Sequence, residues 1–591
     1  MQDVDVKQPL LQIVTLTFLG SMLALELNLG YSIGSQSDIY GSDCVVSPGD
    51  ESGTKKILAS TLTSSALSTP EAKRYEFWMI LFSLCIGMFC TAMELTSVAI
   101  AIPTITRAVN GQDFVWINSA FALASTSLIP VTGGLADVFG RRVVIMSSFA
   151  LFALGSVLCG SAQNMSWLIA ARSVQGAGSG GIHSLTQIIL SDLVSLRERA
   201  KYNGVIGLVW ALTIAFGPLI GGAFATGNHW RWIFYVNLPL TVISATLVMI
   251  FLRLKSPQLT FHQKLARIDW IGNILVIASS ASVVLGLAWG GVKFPWSSVQ
   301  VIGPLILGFI GLIFFAVYEF TLAKTPIMPF TLLSNRTTVS GYIQNFVSYL
   351  VGLGVIIFSP ALLQGVYSAS PIQAGVHVLP ASISCGIFVV LGSICVATTK
   401  RYRPIIWAGW VILIVGCGAF ITYKSTVPDR QPIAWTLLVA SGAGILLSTT
   451  YFPVLAPLSV SQNARGLAMF SFFRSFAGVW TIVIGSAVLD NEFSKKLSPE
   501  VLSLFPGGAN GVFFSIPVFK NLPEPARTEV RVALGDGISV LWEVLMGIAG
   551  VGVLAYLMMK GLPLHTQVDE NWGLEEKRDD DMDLEALASE Q

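Results

Sequence analysis

The chain has 591 residues, 53% of them hydrophobic and only 12% charged, against roughly 25% charged in soluble domains. A water-covered surface on a chain this long needs more charge, so an ordinary soluble protein is excluded. The net charge of +1 points to no nucleic-acid partner, and seven cysteines without a CxxC or His/Cys cluster indicate neither a disulfide framework nor a metal site.

A bilayer core of about 30 Å takes roughly 20 apolar residues to cross as a helix. Residues 1–76 precede the first convincing span and are expected as a cytoplasmic segment. Its apolar stretch 10–28 (LLQIVTLTFLGSMLALELN) receives no function, because Asp3 and Asp5 spoil the positive leader of a signal peptide. Apolar runs near 77–104, 115–137, 143–163, 167–192, 202–225 and 230–253 predict a first group of spans over 77–253. An inserted pair at 270–289 and 300–322 occupies 254–324. The last group covers 325–560, with runs near 337–360, 373–397, 404–423, 433–456, 466–489 and 537–559. Between its final two spans, 490–536 is expected as a long outer loop. The tail 561–591 is acidic (DENWGLEEKRDDDMD) and reads as a disordered, solvated end.

Orientation follows from Lys and Arg in short loops. One set of loops carries fifteen, among them Arg141, Arg142, Arg199 and Arg465, and the opposite set carries five. The first set is therefore expected on the cytoplasmic side, together with both tails.

The most specific signal is GGLADVFGRR, residues 133–142. Gly133 and Gly140 allow a tight turn and close helix approach. Asp137 stands at the end of a span, with Arg141 and Arg142 just beyond. A carboxylate and two guanidiniums there can form a charge-assisted clasp that holds one packing of the helices. In this loop the chain resembles the major facilitator superfamily. MELTSVAIAIPTI (93–105) is similar to that family's first-span signature, with Glu94 where Asp is usual. RSVQGAGSGG (172–181), including Gln175, Gly176 and Gly178, resembles the fourth-span signature. GPLIGG (217–222), with Gly217, Pro218, Gly221 and Gly222, resembles the fifth-span antiporter signature, although Thr213 stands where a further Gly is usual. RWIFYVNLP (231–239), DWIG (269–272), PWSS (295–298) and AGVHVLP (374–380) are similar to the drug:proton antiporters with fourteen spans, among them fungal toxin and multidrug exporters.

The resemblance covers about 75–560. It implies an all-α polytopic membrane protein with the major facilitator fold, two six-helix bundles and an inserted helix pair. A faint repeat agrees: Gly392 and Arg401 keep the spacing of Gly133 and Arg142, with Val396 in place of the acid.

Ionisable groups inside spans cost at least about 2.5–3.5 kcal/mol, so they are functional candidates. Four stand out: Glu94, Arg172, Arg474 and Glu543. The resemblance implies a part for Arg172 in proton coupling, its fixed charge holding a nearby carboxyl ionised until the helices separate. Glu94 is the candidate acid. Arg474 and Glu543 read as a structural pair or interfacial anchors, and His183 and His377 as hydrogen-bonded packing residues. Pro218 and the glycines of GPLIGG read as a mechanical element. No GxxxxGK[ST] loop is present, so a gradient rather than ATP must supply energy.

The expected function is a proton-coupled secondary transporter, not an enzyme. It would export a small amphipathic toxin, secondary metabolite or drug by alternating access. A siderophore–proton transporter and a non-transporting receptor or scaffold are the alternatives. The expected partners are the substrate, protons and the lipid bilayer, with no cofactor and no partner subunit. The plasma membrane is the expected site, with vacuole or transport vesicle as other locations.

Overall fold

A computed structural model of the chain describes residues 70–109, 115–226, 229–254, 260–291, 293–423, 430–505 and 508–564. The apolar stretch 10–28 and the acidic tail beyond residue 564 lie outside the described residues. The first six long helices are α1 (Pro70–Ala108), α2 (Val115–Phe139), α3 (Arg141–Gly160), α4 (Met165–Leu193), α5 (Leu196–Thr226) and α6 (Asn237–Phe251). The pair α7 (Trp270–Trp289) and α8 (Val299–Thr321) follows. The last six are α9 (Arg336–Gly365), α10 (Pro371–Thr399), α11 (Arg403–Ile421), α12 (Arg430–Thr449), α13 (Asn463–Lys496) and α14 (Ala526–Met558).

Thirteen helices among the described residues are long and apolar enough to cross a bilayer. The remaining expected span is α4. Its 29 residues suffice in length, but Arg172, Gln175, His183, Gln187 and Asp192 make it too polar to be counted with the others. The most polar crossing helix is thus the one that carries Arg172 into the interior.

Local signals set the helix starts. Asn164 caps α4 by accepting from the Trp167 N–H, and Asn335 caps α9 through the Thr337 N–H. Ser370 and Gln373 form a reciprocal capping box on α10, with Pro371 at its first position.

Within the first six helices α4 packs between α2 and α3, and α1 lies against α5 and α6. Within the last six, α12 packs on α10 and α11, and α9 on α13 and α14. The two groups meet where α5 crosses α10 and α2 crosses α13. In each crossing the second helix of one group meets the fifth of the other, the arrangement a two-fold internal repeat produces. Small residues permit it. A Cβ on Gly207 would stand 2.2 Å from Val389 Cγ1, and one on Gly133 would stand 2.9 Å from Ala468 Cβ. The α7–α8 pair packs on itself and touches α2 and α13.

Two expectations need correction. The loop expected over 490–536 is shorter, because α13 continues to Lys496 and α14 begins at Ala526. Charged residues that end an apolar run in the sequence here extend the helices. Lys496 bridges Glu492 at 3.3 Å and Asp536 of α14 at 3.1 Å. Arg199, read as a loop charge, is buried in the first turn of α5 and donates to the carbonyls of Ser191 and Val194.

DWIG proves to be a helix-pair joint. Asp269 caps α7, its Oδ1 accepting from the Gly272 N–H at 2.9 Å and the Tyr318 hydroxyl at 3.0 Å. Glu319 of α8 accepts from the Met328 N–H at 3.0 Å. A Cβ on Gly272 would come within 2.5 Å of Asp269 Oδ2 and 2.6 Å of Glu319 Oε1. Gly272→Ala is therefore expected to cost about 1–3 kcal/mol through overpacking. Thermal unfolding in detergent checks this; an unchanged midpoint would contradict the close approach.

Candidate functional site

Two charge clusters stand at opposite ends of α4. Twenty residues separate Arg172 from Asp192 in the sequence, so the helix holds them about 30 Å apart.

The first cluster is fully buried. Glu94 of α1, Arg172 and Gln175 of α4, and Asn237 of α6 each have 0% exposure. Arg172 Nη1 donates to Glu94 Oε1 at 2.6 Å and to Gln175 Oε1 at 2.8 Å. Its Nε donates to the Ile117 carbonyl at 2.8 Å, and its Nη2 to Asn118 Oδ1 at 3.4 Å. Asn237 Nδ2 donates to Glu94 Oε2 at 2.5 Å. Gln175 Nε2 donates to Ser156 Oγ of α3 at 2.9 Å. The guanidinium lies 4.4 Å from the Phe121 ring centroid, close enough for a cation–π contact. Five helices thus join one hydrogen-bond network around this cation.

Glycine makes the convergence possible. A Cβ on Gly176 would meet the Phe121 carbonyl at 2.3 Å, and one on Gly178 would meet the Phe152 nitrogen at 2.4 Å. The fourth-span motif therefore draws the backbones of α2 and α3 against α4. Asn237, Asn118 and Ser156 were not singled out from the sequence, because neutral amides and hydroxyls are common in spans. Asn237 did stand within RWIFYVNLP, the one signal that pointed at it.

The second cluster is at the α2–α3 turn. Gly140 has φ 92°, a conformation that favours glycine. Arg141 is buried and bridges Asp137 at 2.7 Å and Asp192 of α4 at 2.9 Å. Arg465 of α13 bridges the other oxygen of Asp137 at 3.3 Å. The clasp has two guanidiniums as expected, but the second is Arg465. Arg142 instead donates to the Met249 carbonyl of α6. Its neighbour Arg141 already occupies the inward direction, and adjacent helix positions diverge. Through Arg465 the clasp joins the two bundles. A hydrogen bond of 2.7 Å between Thr126 and Ser475 joins the same two helices deeper inside.

GPLIGG brings α5 against α1 one turn beyond Glu94. A Cβ on Gly217 would stand 1.9 Å from Thr96 Oγ1, and one on Gly221 would stand 2.3 Å from the Ser97 carbonyl. Gly222 departs from the expectation: a Cβ there meets nothing within 4 Å. Pro218 lies within helix α5. Thr213, in the place of the usual glycine, is buried and donates to the Val209 carbonyl at 2.7 Å. Its hydroxyl is satisfied inside its own helix.

Arg474 and Glu543 do not pair. Arg474 donates to Asn345 and the Leu447 carbonyl, whereas Glu543 is exposed. His183 packs edge-on to Trp210, with centroids 6.0 Å apart. His377 Nδ1 is buried with no hydrogen-bond partner among the described residues.

The profile of the Major Facilitator Superfamily matches residues 84–485. The chain is 33% identical to the efflux pump FUS6 of Gibberella fujikuroi, over 88% of this chain and 95% of that protein. It is 35% identical to the MFS-type efflux pump LUC4 of a Fusarium species, over 85% and 91%. It is 32% identical to the MFS-type efflux pump MMF1 of Pseudozyma antarctica, over 87% and 96%. The solved structure of the proton:xylose symporter XylE shares the fold, with TM-score 0.52 and 13% identity over 84% of this chain and 99% of that one. The chain belongs to the Major Facilitator Superfamily. It is a multi-pass membrane transporter and not an enzyme.

Glu94 and Arg172 are expected to be energetically coupled. Glu94→Gln and Arg172→Gln should each destabilise the protein, and the double variant should lose less than their sum by roughly 1–3 kcal/mol. Denaturant-induced unfolding in detergent checks this. Strict additivity would contradict the bond.

Proposed function

We propose that this transporter is a proton-driven exporter of small amphipathic molecules, such as a toxin, secondary metabolite or drug, acting as a monomer in the plasma membrane. The observation that carries the reading is the buried Glu94–Arg172 bond of 2.6 Å. A guanidinium at that distance favours the ionised form of a carboxyl, and its withdrawal in an apolar interior favours the protonated form. Relative movement of α1 and α4 therefore converts into proton uptake and release at Glu94.

The remaining geometry suits such a cycle. Gly217 and Gly221 hold α5 against the turn of α1 beyond Glu94, so displacement of α1 is passed to α5. From there it reaches α10, across the bundle interface. Arg465 and Asp137 tie the bundles at the α2–α3 turn and must part when that face opens. The relatives named as efflux pumps support the outward direction. One proton moving through one pH unit and 100 mV releases about 3.7 kcal/mol. Exchanged one for one with a neutral molecule, that sustains roughly a 500-fold gradient.

In proteoliposomes with an imposed pH gradient, the protein should move cargo uphill, and a protonophore should abolish this. Glu94→Gln should still equilibrate cargo downhill but accumulate none. Accumulation by that variant, or by the parent after the gradient collapses, would contradict proton coupling. Asp137→Asn should insert normally and turn over at least roughly tenfold slower, since one bond to each guanidinium loses its charge. Normal turnover in the same vesicles would remove the clasp from the cycle.

A further inference from the structure

The second bundle holds a cation that the exchange cycle above does not use. Arg474 lies in the first half of α13, between α9 and α12. Its Nε donates to Asn345 Oδ1 at 3.0 Å and one Nη donates to the Leu447 carbonyl at 3.2 Å. A guanidinium has five N–H donors, so three remain beyond these two bonds. No carboxylate among the described residues forms an ion pair with it. The acids buried in the spans are engaged elsewhere: Glu94 by Arg172, Asp192 by Arg141, and Glu492 by the lysines at the end of α13. Glu319 is held at the α7–α8 joint, and Asp490 lies four turns further along α13. Arg172 and Arg474 are thus opposite cases. One is answered on every side, and the other keeps donors in reserve.

The surroundings of Arg474 are aromatic. Its guanidinium lies 4.6 Å from the Phe470 ring centroid and 5.8 Å from that of Tyr349. From the first bundle, α4 packs on α13, and its His183 lies edge-on to Trp210 of α5. Arg474 of α13, His183 of α4 and Trp210 of α5 are all only partly buried although these helices pack across the bundle interface. A cation without a counter-ion in such a place is costly unless an anion is able to enter.

We propose that Arg474 is the anion-recognising group of the cargo site, and that the transporter selects amphipathic molecules bearing a carboxylate. This rests on the reading of the protein as an exporter of amphipathic molecules and narrows their class. The free N–H donors form a planar fork that matches a carboxylate two bonds at a time. The neighbouring rings receive the apolar body of the cargo. Asn345 and the Leu447 carbonyl fix the direction of the fork.

The test is equilibrium binding to the purified full chain in neutral detergent, with dansyl-labelled undecanoic acid and its methyl ester as probes. The parent should bind the acid at least roughly tenfold more tightly than the ester, as charge-assisted bidentate bonds are the strong ones. Arg474→Gln should bind both equally, by weakening the acid and leaving the ester unchanged. Should that variant fail to fold, Arg474→Lys carries the test: it should keep a preference for the acid while losing most of the affinity. Equal binding of the two probes by the parent, or binding of neither, would overturn the proposal. So would an intact acid preference in Arg474→Gln, or undiminished acid affinity in Arg474→Lys. No gradient enters this measurement, so its failure leaves proton-driven export standing, and loss of proton coupling in vesicles leaves the acid preference standing.

Discussion

A guanidinium sealed among packed helices has no water to receive its five N–H groups and cannot give up its proton. Every acceptor must come from the protein. At Arg172 they come from Glu94, Gln175, Asn118 and the Ile117 carbonyl, which stand on three different helices. The demands of this single cation explain much of the first bundle. Gly176 and Gly178 admit the backbones of α2 and α3 to the same plane. Asn237 brings α6 to the far oxygen of Glu94. The helix that bears the cation is correspondingly the least apolar of those that cross.

The same helix ends in Asp192, which with Asp137 holds Arg141. A rigid rod therefore connects the interior pair to the charged turn that meets Arg465 of the second bundle. Buried ion pairs contribute modestly to net stability, yet breaking one partner is costly. In the proposed cycle that asymmetry lets such bonds serve as latches. The two clusters differ in access. Glu94 is sealed, whereas Asp137 and Arg465 remain partly open to the surface.

Most of the fold was legible because lipid imposes one rule on every crossing segment, and apolar length records it. The rule fails where helices leave the hydrocarbon. Lys496 and Asp536 ended apolar runs and were read as loop, though they join the emerging ends of α13 and α14. Of the site, charge was legible and its partners were not. Glu94, Arg172, Asp137 and Arg141 stood out as isolated charges in apolar or motif context. Arg465 was counted only as a loop cation, since its bond to Asp137 spans 328 residues and has no local signature. Asn237 and Ser156 escaped for the opposite reason, as neutral groups carry no insertion cost large enough to mark them. Glycines were legible as a class, but not individually: Gly217 and Gly221 touch α1, whereas Gly222 beside them faces open space.

The central claim is that Glu94 exchanges a proton as its bond to Arg172 opens and closes. Infrared difference spectroscopy of the purified protein, taken between neutral and acidic pH, observes carboxyl protonation directly. The account predicts a carboxyl band that forms on acidification in the parent and is missing from Glu94→Gln. An identical set of bands in both proteins would contradict it.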